Sequence, residues 1–306
     1  MKLYKANDSW IVTTEENSLW FNRRSLSIYT KSEPITDKFL SSSAWDATLI
    51  NDIYGYIGQV KIVKDGLDWL IFIKSRQLVC EMSDGHEIYR ITEILIQPFD
   101  NFDEESDGKI SSSINNKYEL KCIEEFRLWY QETQCFYYSS TYDLTNSMQR
   151  SFNHDNNIPL WKRADEKFFW NRQMLSKLID QAEKERLDSQ WIQPIIMGYI
   201  DECHFQVDQQ TDVQLIIISR RNCHRAGVRM HCRGIDDDGN VANYVETEQI
   251  LWAGNNIMSF TMIRGSLPIY WSQPGIKDRP PPKIDRKLSS LCHRNDILKQ
   301  NFSSQY

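Results

Sequence analysis

The sequence holds no Walker loop, no GxGxxG and no GxSxG. It therefore lacks the glycine-rich cradles of nucleotide and dinucleotide sites and the nucleophile elbow of the α/β-hydrolases, and no cofactor is expected. No run approaches 18 apolar residues, which leaves no candidate membrane span. The opening MKLYKANDSWIV has no apolar h-region of a signal peptide. Seven cysteines, at positions 80, 122, 135, 203, 223, 232 and 292, form an odd, scattered set without a paired framework, so reduced thiols and a cytosolic compartment are expected. A cationic excess is missing as well: 36 Lys and Arg stand against 42 Asp and Glu, a net charge of −6, which disfavours nucleic acid as a partner. No internal repeat is visible.

What is present is a foldable chain. Its 306 residues are enough for two domains, and aromatic residues make up 12%, with ten Trp, far from the composition of a disordered tail. Residues 1–100 carry short apolar and aromatic segments: SWIVT (9–13), SLWFN (18–22), YGYIGQVKIV (54–63), LDWLIFIK (67–74), QLVCEM (77–82) and EIYRITEILIQP (87–98). Asp65-Gly66 and Asp84-Gly85 supply hairpin chemistry between them, so an antiparallel meander or sandwich-like module is expected. The polar, serine-rich DNFDEESDGKISSSINNK (100–117) reads as a loop or insertion. Residues 118–134 place Leu120, Ile123, Phe126 and Tyr130 at helical spacing, and a second helix is expected from about Asp165 to Arg186 with Phe168, Leu175, Leu178 and Ile179 as its core stripe. From Trp191 the pattern returns to strands: WIQPIIMGYI, VQLIIIS, GNVANYVETEQILW and NIMSFTMIRG, with a turn at Asp238-Gly239. IKDRPPPKIDR (276–286) is extended, because Pro280, Pro281 and Pro282 forbid helix.

The local chemistry concentrates between Leu215 and Gln273. A buried-strand core, LIIIS, runs into Arg220, Arg221, Arg225, Arg229 and Arg233, with His224 and His231 among them and no acidic residue between Asp212 and Asp236. Arginine forks suit phosphate or carboxylate. Two readings stay open: these arginines engage an anionic ligand, or they pair internally with Asp236, Asp237, Asp238, Glu246 and Glu248. Cys223 and Arg229 form a C-x5-R, the spacing with which a thiolate and an arginine serve phosphoryl transfer. The helix that should follow is missing, since MHCRGIDDDGN holds two glycines and a turn, and Met230 takes the place of the usual Ser or Thr. The pair is judged a decoy. Cys223, His224, His231 and Cys232 are ligand types, but their adjacent spacing and the surrounding cations argue against zinc, and no metal is expected. Asp236–Asp238 before Gly239 read as a hairpin turn, not a calcium loop.

SRRNCHRAGVRMHCRGIDDDGNVANYVETEQI followed by SFTMIRGSLPIYWSQ resembles the Sac-domain phosphoinositide phosphatases. Earlier segments agree in order: FYYSSTYDLTNSMQR, PLWKRADEKFFWN and WIQPIIMGYI, so the match is specific over about 136–275 and looser before it. The resemblance implies an α+β / α/β protein, with a β-rich N-terminal Sac subdomain packed on an α/β catalytic subdomain. It implies metal-free hydrolysis of a phosphoinositide monoester through a cysteinyl-phosphate, and the likeness to one branch of the family implies phosphatidylinositol 4-phosphate on endosomal membranes as substrate. The nucleophile of the family lies in a later C-x-D-C-L-D-R-T-N segment, which is absent from these residues; Cys292, with Leu298 at the arginine position, is no substitute. The resemblance also implies arginine in relatives where this chain has Cys223, which argues against Cys223 as nucleophile.

The expected organisation is a Sac subdomain over 1–160, an incomplete catalytic subdomain over 161–286 and a divergent tail over 287–306. The expected polypeptide is a fragment or truncated form, inactive as written. Its phosphate- or lipid-binding candidates are Arg220, Arg221, Arg225, Arg229, Arg233 and Arg264, the last within a family turn Arg264-Gly265-Ser266. Its partners are a phosphoinositide-containing surface of endosomal or other internal membranes, met from the cytoplasm, and protein partners. The alternatives are a catalytically dead module for anionic lipid and a protein-interaction scaffold.

Overall fold

The computed structural model describes residues 1–32, 47–64, 66–99, 114–152, 155, 157–185, 189–207, 211–227, 233–272 and 283–284. The backbone divides into two compact units, one of residues 1–146 with 150–196 and one of 147–149 with 197–306.

In the first unit, strands β1 (Lys2–Ala6), β2 (Ser9–Thr13), β3 (Ser18–Asn22), β4 (Ser27–Lys31) and β5 (Thr48–Asp52) form an antiparallel sheet in the order β4-β3-β2-β1-β5. A second antiparallel run follows: β6 (Gly55–Lys61), the long β7 (Asp68–Glu81), β8 (Glu87–Pro98) and β9 (Phe136–Tyr138). Asp84-Gly85 does turn β7 into β8, with Gly85 at φ +85°. Of the Asp65-Gly66 turn, Asp65 lies outside the described residues. One core joins the pieces: Trp10, Phe21, Tyr56, Phe72, Phe99, Trp161, Phe169 and Leu178 are buried together. Phe21 meets Phe72 edge-on at 5.9 Å between ring centroids. Aromatic pairs of this kind add to area burial.

Helix α1 (Ile114–Thr133) buries Ile123 and Tyr130 as the spacing predicts, but Leu120 is exposed and its neighbour Glu119 is buried. The reason is polar. Glu119 Oε1 accepts from the Leu67 amide (3.0 Å) and from Trp69 Nε1 (3.0 Å), so the turn before β7 recruits a carboxylate to the inner face of the helix. The loop expected over 100–117 lies outside the described residues up to 113, and 114–117 already belong to α1.

Two one-turn helices, α2 (Met148–Ser151) and α3 (Leu160–Arg163), precede α4 (Ser176–Glu185). Helix α4 is half the expected length, because 165–175 are turns and not helix. Asn171 accounts for this. Its Nδ2 donates to the carbonyls of Ile57 (2.9 Å) and Gln193 (3.0 Å), and its Oδ1 accepts from Ile195 N–H (2.9 Å), tying three chain segments through one amide. The segment 161–196, assigned from sequence to the second subdomain, contributes Trp161, Phe169, Leu175 and Trp191 to the core of the first unit. Periodicity reports that such a face is buried, not against what.

The second unit carries β10 (Ile196–Val207), β11 (Thr211–Arg221), β12 (Val245–Ala253) and β13 (Asn256–Arg264), paired antiparallel in chain order. A two-residue pair, β14 (Trp271–Ser272) with β15 (Lys283–Ile284), follows. The strand-rich architecture with few helices agrees with a β-rich Sac part followed by an incomplete α/β part. Pro280–Pro282 and the tail beyond Ile284 lie outside the described residues.

Candidate functional site: an arginine-lined cavity

Alternation along a strand sends successive side chains to opposite faces. On β11 this buries Ile216, Ile218 and Arg220 and leaves Leu215, Ile217, Ser219 and Arg221 part-exposed on the other face. Arg220 thus occupies a core position. It lies across from Glu246 in the β11–β12 ladder, and Ile218 lies across from Glu248. Arg220 Nη1 donates to Glu246 Oε1 at 3.0 Å and Nη2 donates to Glu248 Oε2. All three side chains are at most 1% exposed. Glu248 Oε1 also accepts from Ser259 Oγ (2.6 Å) and from the first amide of α2, Met148 N–H (2.7 Å). Arg220 is therefore a structural ion, held where no ligand reaches it.

Arg221 is the next residue and points the other way. Directly opposite positions of antiparallel strands share a face. Arg221 pairs with Val245, and Val245 pairs with Arg264, so the two arginines flank one valine across three strands. They line a cavity of about 710 Å³ with Arg233, Asn243, Ser266 and Trp271. Its described lining holds three guanidinium groups and no carboxylate.

Each part of this wall is fixed by local chemistry. Arg221 Nη2 donates to Asn243 Oδ1 (2.8 Å) and to the Gly227 carbonyl (3.0 Å), which aims the guanidinium. Asn243 sits at φ +55°, a conformation that asparagine tolerates better than most residues. Arg233 lies 5.9 Å from the Trp271 ring centroid, a cation–π distance. At Gly234 φ is +72°, and a Cβ would come within 2.0 Å of the Ile269 carbonyl oxygen. Only glycine lets these two backbones approach. Ser266 N–H donates to the Ala242 carbonyl (3.0 Å), seating the turn after β13.

Arg225 stands outside this wall. At φ +51° it is half-buried, donates Nη2 to the Arg233 carbonyl (2.9 Å), and lies 3.9 Å from Asp236. It knits its loop to the 233–240 hairpin, where Asp236 caps the turn by accepting Asn240 N–H (2.7 Å) and Gly239 takes φ +85°. Asp238-Gly239 thus makes the expected turn.

Of the six candidate arginines, the structure brings together Arg221, Arg233 and Arg264, buries Arg220 against carboxylates, and spends Arg225 on its own loop. Arg229 lies outside the described residues, as do His231, Cys232 and Cys292. Cys223 is half-buried in a loop whose described residues, 222–227, take turns and no helix. Among the described residues no cluster of His, Cys, Asp and Glu could hold a metal ion, no cysteine is in a disulfide, and no helix is long and apolar enough to cross a membrane. Sequence reasoning did not single out Asn243 or Trp271. Asparagine between two turn segments was the one usable signal for the first.

Comparison with known proteins adds an independent line. The model of the SacI homology domain matches residues 54–305. The chain is 31% identical to the human phosphatidylinositide phosphatase SAC2, over 94% of this chain and 31% of that protein. It is 30% identical to its zebrafish (Danio rerio) counterpart with the same coverage. It is 38% identical to phosphatidylinositol-3-phosphatase SAC1 of Saccharomyces cerevisiae over 62% of this chain and 29% of that protein. The chain thus spans about a third of the length of the curated relatives it matches.

Proposed function

Since the chain belongs to the SacI homology family of phosphoinositide phosphatases, we propose that its second unit engages the phosphorylated head group of a membrane phosphoinositide in the Arg221–Arg233–Arg264 cavity. The observation that carries this reading is the sorting of the arginines. Arg220 has its charge balanced by Glu246 and Glu248, whereas the cavity gathers three guanidiniums with no carboxylate in its described lining. A concave wall that gathers several guanidiniums attracts a polyanion, and guanidinium forks match phosphate oxygens in pairs.

The head group we assign is of the phosphatidylinositol 4-phosphate type, presented at the cytoplasmic face of endosomal or other internal membranes. No C-x-D-C-L-D-R-T-N segment occurs among these residues, and the role we assign to the cavity is to hold the head group, not to attack it. Phosphate is then held by arginine rather than attacked by Cys223, whose described loop takes turns and offers no helix N-terminus to a bound anion.

Two measurements test this. Calorimetric titration with glycerophosphoinositol 4-phosphate should show binding that Arg264→Glu abolishes; heat without dependence on Arg264 speaks against the cavity. Phosphate release from phosphatidylinositol 4-phosphate should stay at background, and turnover that disappears in Cys223→Ser would overturn the assignment of a site that holds without attacking. The 3-phosphate isomer, run in parallel, reads position specificity.

A further inference from the structure

Resting on the reading of the cavity as a head-group site, we propose that Leu267 is a membrane anchor: a leucine held out beside the cations so that it enters the bilayer when the head group is bound. Strand β13 ends at Arg264, and the chain turns through Gly265, Ser266, Leu267 and Pro268. That turn is fastened on both sides. Ser266 N–H donates to Ala242, Ile269 N–H donates back to the Leu267 carbonyl (2.8 Å) around Pro268, and the Ile269 carbonyl accepts Ile235 N–H (3.1 Å). Proline inside so tight a turn, with hydrogen bonds on either side, leaves the backbone of Leu267 little freedom.

Nevertheless the Leu267 side chain is 69% exposed, the most exposed large hydrophobic residue described in the second unit. A solvent-facing leucine on a loose loop is ordinary. One presented by a fixed turn, at the edge of a cavity with three arginines, combines the two attractions that peripheral membrane proteins use. Cations meet the phosphate layer, and an apolar tip passes below it. Because the turn is already ordered, docking loses little conformational entropy at this side chain. Anionic lipid fits by charge: the cavity lining is positive while the chain as a whole is negative, so attraction is local to this mouth.

The test uses the full chain and two forms of one chemistry. Phosphatidylcholine vesicles containing phosphatidylinositol 4-phosphate present the head group in a bilayer, and glycerophosphoinositol 4-phosphate presents it without acyl chains. Leu267→Asp should weaken vesicle sedimentation at least about tenfold more than it weakens binding of the soluble head group, a difference of about 1.4 kcal/mol. Leu267→Trp should strengthen sedimentation, since tryptophan favours the interface. Arg264→Glu should weaken both forms alike. Equal sedimentation of wild type and Leu267→Asp overturns the anchor and leaves the head-group reading standing. Equal losses by Leu267→Asp on both forms also overturn it, by showing that the residue shapes the cavity instead. If the wild-type chain binds neither form, the head-group reading fails and the anchor with it.

Discussion

Strand β2 buries all five of its residues, whereas β13, nine residues long, buries none. Both are rich in apolar side chains: SWIVT in one, NIMSFTMIR in the other. In the first unit the inner faces of the strands are covered by aromatics and by α4, so that Phe72 is fully enclosed. In the second, β13 pairs only with β12 among the described strands of its unit, and Met258, Phe260 and Met262 stay exposed on the face that also carries Arg264. The contrast teaches that hydrophobic alternation specifies a strand and its register but not what covers it. It also separates two uses of charge: Arg220 is a core residue by position, and its neighbour Arg221 is a surface residue by one step along the strand.

The largest expected effects come from breaking the buried charge cluster. Arg220→Ala leaves Glu246 and Glu248 enclosed without a cation and should cost about 3–5 kcal/mol, read as a fall in the urea midpoint. A loss under about 1 kcal/mol would mean that the carboxylates protonate or reach water, and that the cluster is looser than its burial implies. Phe72→Ala, in the first unit, should cost a comparable 3–5 kcal/mol or so through the cavity it leaves. The same change at Phe260 sharpens the comparison, because that ring is 62% exposed: the expected cost is within about 0.5 kcal/mol. If Phe260→Ala proved as damaging as Phe72→Ala, β13 would have to be covered in solution.

An intermediate effect concerns alkaline pH. Tyr56 and Tyr130 are buried, and burial pushes both hydroxyls far above the ordinary tyrosine range, with Asp68 and Cys135 adding to it. In the unfolded chain each titrates near pH 10. Above that value the unfolded state sheds protons that the folded state keeps, so stability present below about pH 10 falls as pH rises, by up to about 1.4 kcal/mol per pH unit for each tyrosine. Urea midpoints followed from about pH 8 to pH 11 check this, and Tyr56→Phe should flatten part of the slope. A midpoint that stays level above pH 10 would remove the argument. The smallest effect is colloidal. Phe260→Lys should leave the midpoint nearly unchanged while lowering concentration-dependent association, because a charge blunts an apolar edge strand; unchanged light scattering would count against β13 as the sticky element.

The strands and the Asp84-Gly85 and Asp238-Gly239 turns were legible in the sequence, because alternation and turn chemistry are local signals. The segment over 165–175 was not, because Asn171 hydrogen-bonds to residues 57, 193 and 195, and those partners hold the backbone out of the helix its apolar spacing suggests. The arginine cluster was visible as composition. Its division into Arg220, Arg225 and the cavity set depends on strand register and on a loop at positive φ, neither of which composition carries. Likewise the spacing of Leu120, Ile123, Phe126 and Tyr130 carries no sign that Glu119 is buried, because its donors, Trp69 and Leu67, come from elsewhere in the chain.

The Asn171 amide also works as a three-way latch. One side chain satisfies two carbonyls and one amide from separate stretches of chain, at Ile57, Gln193 and Ile195. A change to aspartate keeps the outline of the side chain but puts a carboxylate oxygen where Nδ2 now faces the carbonyls of Ile57 and Gln193, turning two attractions into two repulsions inside a sealed interior. One group exchanged at this position would therefore loosen three stretches of the first unit at once.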